Sequence, residues 1–202
     1  MSLANLITLA RLPLLIVVVL LLLVPSWQVQ LVNLVLLIIL FLMDWFDGYV
    51  ARLRQELTEL GAVLDVALDR AVENILWVAF VQLGLAPLWA PVIFLIRSFV
   101  VDGIRGVALA RGKSGFGMMH SVVGRFLVAS RFMRALYGFA KCWTFGFLLL
   151  THALILHDPS WRPSLHLWNQ IFISLTCALC LLRGIPVIVD GRLYFRTKTE
   201  LG

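Results

Sequence analysis

Apolar residues in this chain come in long unbroken runs, at about 12–24, 29–50, 62–83, 88–110, 139–157 and 165–189. A helix needs roughly 20 apolar residues to cross the hydrocarbon of a bilayer. Glycine, proline or charged stretches separate the runs and punctuate helices. The pattern predicts an all-α integral membrane protein: six transmembrane helices in a single domain over residues 1–202, with a short amphipathic amino-terminal helix over 2–11 leading into the first span. That first run follows Arg11 as a signal peptide's would. No small-x-small cleavage site comes after it, however, and Pro25-Ser26-Trp27 reads as an interfacial turn, so it is assigned as a span. Residues 112–138 mix glycine, aromatic and arginine residues in a way that fits a surface helix as well as a loop, which leaves the start of the fifth helix open.

Composition strengthens this reading. Hydrophobic residues make up 61% of the 202 and charged ones only 14%, against roughly 45–50% and about 25% in soluble domains. The net charge of +6 is carried unevenly. Arg11, Arg52, Arg54, Arg111, Lys113, Arg125, Arg131, Arg134, Lys141, Arg192, Arg196 and Lys198 fall on one side of the predicted bundle, and only Arg162 on the other. The positive-inside rule then puts both termini in the cytoplasm, for a multi-pass protein of the cell (inner) membrane. A basic surface also suits nucleic acid, but no soluble domain is left to present one, so nucleic acid is excluded as a partner. Cys142, Cys177 and Cys180 lie in apolar surroundings and the four histidines are scattered, so neither type forms a ligand set.

The acids are not scattered. Of seven aspartates, four (Asp44, Asp47, Asp65 and Asp69) fall within 26 residues, at the facing ends of the second and third helices. Asp44 and Asp47 are three apart, Asp65 and Asp69 four apart, so each pair shares a helix face. Four carboxylates at one depth in a low-dielectric site repel one another unless cations neutralise them, and all-oxygen ligands suit a hard divalent ion such as Mg²⁺ or Mn²⁺. The active site is expected on the cytoplasmic side. Gly48, Ala51, Gly61 and Ala62 leave room beside the acids for a ligand or for close helix packing, and Arg52 offers a cation to phosphate.

Residues 44–69 read Asp44-xx-Asp47-Gly48-xx-Ala51-Arg52-x8-Gly61-xxx-Asp65-xxx-Asp69. This resembles the signature of the CDP-alcohol phosphotransferase (phosphatidyltransferase) family at every defined position. The resemblance implies a six-helix membrane enzyme, commonly a homodimer, that releases CMP while joining a phosphatidyl unit to an alcohol. It implies two divalent cations held by Asp44, Asp47 and Asp65 with help from Asp69, and Asp69 as the base for the acceptor hydroxyl. Gly48, Ala51, Arg52 and Gly61, together with Thr8, match positions that receive the CDP-lipid.

Further stretches bear on the acceptor. Asn5-xx-Thr8-xx-Arg11 and Asp44-Trp45-Phe46-Asp47-Gly48 look like the phosphatidylglycerophosphate synthase branch of the family. Arg97 to Arg105 is similar to that branch's paired-arginine segment. With Lys141, the arginines Arg97 and Arg105 would receive an anionic acceptor such as glycerol 3-phosphate, with CDP-diacylglycerol as donor; the other account of them is charge balance for the aspartates. The stretch Gly138-Phe139-Ala140-Lys141 departs from the lysine-rich opening of that branch's fifth helix, and Arg125, Arg131 and Arg134 precede it as an insertion. Inositol or inositol phosphate is the nearest alternative acceptor. A cation or proton transporter would favour broken helices in repeated halves, which the sequence lacks. A scaffold would not explain carboxylates kept in register.

Overall fold

The computed structural model describes residues 3–53, 59–110 and 124–196, and every regular element among them is helical. Among the described residues the α-helices are α1 (Leu3–Leu22), α2 (Trp27–Leu53), α3 (Glu59–Gln82), α4 (Trp89–Ala110), α5 (Arg131–His157) and α6 (Arg162–Arg196). Among the described residues, three helical stretches are long and apolar enough to cross a membrane: Trp27–Phe46, Arg131–His157 and Pro159–Asp190. Thr8–Leu22 is a shorter apolar helix.

Two boundaries differ from the expectation. The amphipathic segment is not a separate helix, because α1 runs without a break through Pro13. Proline removes one backbone donor, a loss that helices in apolar surroundings tolerate when neighbours re-satisfy the freed carbonyl. The fifth helix begins at Arg131, well before residue 139, where the apolar run starts. Ser130 makes that start: its backbone is extended (φ −64°, ψ 141°), and its Oγ accepts a hydrogen bond from the N–H of Met133 at 3.1 Å. Arg125–Ala129, just before it, is a short π-helical turn.

The chain forms two compact units. The first comprises residues 1–88 and 142–171. In it α1 packs on α2 and α3, and the core draws on Leu15, Val18, Leu37, Leu40, Leu76 and Phe80. Phe145 of α5 anchors an aromatic cluster, 4.9 Å from Trp77 edge-on and stacked at 6.0 Å on Phe80 and 6.2 Å on Phe41, centroid to centroid. The carboxyl end of α1 is closed by polar side chains of α2. Gln30 is fully buried, and its Nε2 donates to the carbonyls of Leu21 (2.8 Å) and Val24 (2.7 Å); Asn33 Nδ2 donates to Val18 (3.0 Å). Such groups have no water to turn to in apolar surroundings, so protein partners decide whether the turn is stable there. Gly84 ends α3 in the left-handed region (φ +68°), where glycine carries no Cβ penalty, and the N–H groups of Leu85 and Ala86 close back on the Phe80 carbonyl. Asp158 Oδ1 accepts from the Ser160 N–H at 2.9 Å between α5 and α6, a bond that holds its carboxyl below the ordinary carboxylate range.

The second unit comprises residues 89–141 and 172–202. Val101 and Ile104 of α4 meet Val128 of the π-turn and Val187 of α6 in its apolar core. The π-turn leaves the carbonyls of Leu127 and Val128 without helical successors, since the chain becomes extended at Ser130. Arg183 of α6 answers them, donating Nε–H to Leu127 at 3.3 Å and Nη2–H to Val128 at 3.5 Å.

Candidate functional site

Three of the four predicted carboxylates come together in the first unit. Asp44 on α2 and Asp65 and Asp69 on α3 each offer an oxygen, and these oxygens lie within 4.8 Å of one another. The i, i+4 spacing of Asp65 and Asp69 presents both on one face of α3, toward the late turns of α2. The cluster is half-exposed, with 39%, 51% and 39% of the Asp44, Asp65 and Asp69 side chains accessible. It is therefore open to a ligand. Asp47, Gly48, Ala51 and Arg52 continue α2, but their side chains lie outside the described residues. Gly61 opens α3 two residues after its start, and Thr8 is buried on α1.

One member of the cluster was not expected there. Arg11 of α1 is 2% exposed and reaches all three acids: Nη1 lies 2.7 Å from Asp44 and 3.8 Å from Asp65, and Nη2 donates to Asp69 at 2.9 Å. Thr8 and Arg11 are three apart, on one face of α1. The available signal was an arginine flanked by apolar residues, which has to find an anionic partner.

The predicted acceptor residues lie in the second unit. Arg97 of α4 and Lys141 of α5 both approach the ring of Tyr137, with Arg97 Cζ 5.9 Å and Lys141 Nζ 4.9 Å from its centroid. Arg183 joins them with Cζ at 5.0 Å. A negative ring face attracts cations, so one tyrosine gathers three positive charges from three helices. Arg105 stands apart in its ion pairing, with Nη1 3.9 Å from Asp102 one turn along α4. Arg183 was missed because it sits inside the apolar run of α6; a lone charge there was its only signal. Arg97 is 5% exposed, and its Nε and Nη1 are buried without a hydrogen-bond partner among the described residues. Its stem is held by space left at Gly184: a Cβ there would come within 2.9 Å of Arg97 Cγ. Arg111 and Lys113, and the side chain of Arg125, lie outside the described residues.

In chemical terms, the first unit offers a hard-oxygen donor set with an arginine in its midst, and the second a cluster of cations around an aromatic ring. Comparison with known proteins agrees with this chemistry. The family model described as CDP-alcohol phosphatidyltransferase matches residues 1–182. The chain is 27% identical over 191 residues to the CDP-diacylglycerol--glycerol-3-phosphate 3-phosphatidyltransferase of Bacillus subtilis (strain 168), covering 86% of this chain and 89% of the relative. It is 30% identical over 120 residues to proteins of Mycobacterium tuberculosis and Mycobacterium bovis that carry the provisional name cardiolipin synthase, covering 58% of this chain and 49% of theirs.

Proposed function

Because the chain belongs to the CDP-alcohol phosphatidyltransferase family, we propose that it moves a phosphatidyl group from CDP-diacylglycerol to glycerol 3-phosphate and releases CMP. The observation that carries this reading is the convergence of Asp44, Asp65 and Asp69 on one point. The likeness to the Bacillus subtilis enzyme over most of both chains supports the donor and acceptor. The cations around Tyr137, of which Arg97 and Arg183 are buried, support an acceptor that carries a phosphate.

The carboxylates fit a hard divalent cation in donor type and in spread, since Mg²⁺ takes oxygen ligands at about 2.0–2.1 Å. Asp44, Asp65 and Asp69, with Asp47 from the next turn of α2, would hold two such ions, Mg²⁺ or Mn²⁺. When bound, they supply neutralisation of the charge that builds on the departing CMP phosphate. Gly48, Ala51, Arg52, Gly61 and Thr8 receive the CDP moiety. Asp69 accepts the proton of the acceptor hydroxyl as its oxygen attacks the phosphatidyl phosphorus and the bond from that phosphorus to CMP breaks. Arg97, Lys141 and Arg105, with Arg183 added by its place beside Tyr137, hold the acceptor phosphate through charge-assisted contacts.

In this reading the enzyme lies in the cell (inner) membrane as a multi-pass protein and homodimer, a single domain of six spans with its active site and both termini cytoplasmic. The lipid donor enters from the bilayer, and acceptor and CMP exchange with the cytoplasm. A cysteine at position 55 or at the carboxyl terminus should react with an impermeant label only from the cytoplasmic side, and one at 160 only from outside; labelling of 160 from the cytoplasm overturns the orientation. The function is tested by incubating purified protein and Mg²⁺ with CDP-diacylglycerol and, separately, glycerol 3-phosphate, inositol, inositol phosphate or serine. CMP and phosphatidylglycerophosphate should form with the first. A preference for inositol or serine overturns the acceptor, and a cardiolipin product would move the assignment toward the mycobacterial relatives.

A further inference from the structure

We propose that Arg11 is a built-in counter-cation that competes with divalent metal for the carboxylates of Asp44 and Asp69. This rests on the metal-binding part of the function proposed above and adds a role for a residue of α1. Arg11 is the most buried charged side chain near the site, at 2% exposure, and its two terminal nitrogens divide between two helices: Nη1 to Asp44 of α2 at 2.7 Å, Nη2 to Asp69 of α3 at 2.9 Å. A planar guanidinium fork suits this bridging as a point-charge ammonium does not.

The same carboxylates are the ones a metal would draw on. Ligand oxygens around a six-coordinate Mg²⁺ or Mn²⁺ stand about 2.0–2.2 Å from the ion, hence no more than roughly 4.4 Å apart, and the three carboxylates already bring oxygens within 4.8 Å of one another. An ion held by these acids would therefore occupy space that the guanidinium now shares with them, and would set a divalent charge beside a monovalent one. The two cations cannot both keep their best contacts. Arg11 thus keeps α1, α2 and α3 joined through the acids when metal is absent and yields those contacts when metal binds. The cost falls on metal affinity; the gain is a cluster whose carboxylates are never left facing one another alone.

The test is Mn²⁺ binding, read from the electron paramagnetic resonance signal of the free ion, on the full-length protein in detergent. Arg11→Gln removes the competitor and should bind Mn²⁺ on the order of ten- to a hundredfold more tightly, as expected for loss of a charge-assisted pair. Arg11→Lys keeps the charge without the fork and should fall between Gln and wild type. Melting temperature gives a second readout: Arg11→Gln should melt below wild type without metal, and the gap should close at saturating Mn²⁺. Equal or weaker Mn²⁺ binding by the variants, with wild type binding normally, overturns this inference and leaves the metal site standing. Wild type that binds Mn²⁺ no better than Asp44→Asn overturns both. If Arg11→Gln does not fold, Arg11→Lys decides by the same criterion.

Discussion

Replacing Arg97 by glutamine tests whether the cations around Tyr137 serve a ligand or the fold. Two terms set the effect on stability. The variant loses the contact of the guanidinium with the Tyr137 ring at 5.9 Å, worth about 0.5–2 kcal/mol. It also removes a repulsion, because Arg97 and Arg183 share that ring and their charges act on one another. Two like charges on the order of 10 Å apart at an effective dielectric of about 20 repel by roughly 1.5 kcal/mol. These nearly cancel. The buried Nε and Nη1, which find no hydrogen-bond partner among the described residues, tip the balance further, since glutamine has no charge to desolvate.

Arg97→Gln should therefore melt at the wild-type temperature or slightly above it. If those nitrogens await the acceptor's phosphate, the KM for glycerol 3-phosphate should rise about ten- to a hundredfold, from roughly 1.5–3 kcal/mol of lost charge-assisted contact, while the KM for CDP-diacylglycerol stays put. Saturating glycerol 3-phosphate should raise the melting temperature of wild type and not of the variant. Steady-state kinetics with both substrates varied, and melting followed by tryptophan fluorescence, are the assays. Stability lost by more than about 2 kcal/mol with an unchanged acceptor KM would refute the reasoning and make Arg97 structural.

Asp65→Asn keeps the side chain's size and removes its charge, so metal-dependent CMP release should fall to a few per cent of wild type or less in a protein that still folds; substantial activity in Mg²⁺ would remove Asp65 from the ligand set. Gly184→Ala puts a Cβ within 2.9 Å of Arg97 Cγ, so Arg97 must shift, and the acceptor KM should rise without a matching rise for the donor; an unchanged acceptor KM would mean the guanidinium's place is not critical. Gln30→Leu removes both hydrogen bonds that close α1 and should cost about 1–2 kcal/mol in thermal unfolding, with KM values intact; unaltered stability would show that this cap contributes nothing.

The helices were legible because an apolar run long enough to span a bilayer has few alternatives, and Gly84 before Pro87 gave the stop of α3 its residue types. Where the reading slipped, periodicity alone was being asked to find an end. Arg131-Phe132-Met133-Arg134 does not extend the apolar run, and only Ser130 as a cap marks the first turns of α5. The amphipathic segment over 2–11 was set apart from the first span, yet α1 runs through both, Pro13 included. The carboxylate cluster was legible for a stronger reason: its members are close in sequence, at spacings that fix a shared helix face. Arg11 and Arg183 were not, because their partners lie on other helices, and nothing in a single sequence gives an arginine's direction across an interface.

What each buried arginine finds there separates its role. In a low-dielectric interior a guanidinium needs partners, and an unmatched one persists at a cost of several kcal/mol even after relaxation. Arg183 gives its donors to the carbonyls of Leu127 and Val128, which the π-turn left open, so part of its work is structural whatever else it binds. Arg11 is matched by Asp44 and Asp69, groups with a second claim on them if metal binds. Among the described residues, Arg97 has a ring face and no hydrogen-bond partner for its Nε and Nη1. A cation kept buried with so few partners among the described residues, and with space left for its stem at Gly184, is the one best placed to take a ligand's phosphate. Of the three, it is therefore the residue on which the identity of the acceptor should depend most.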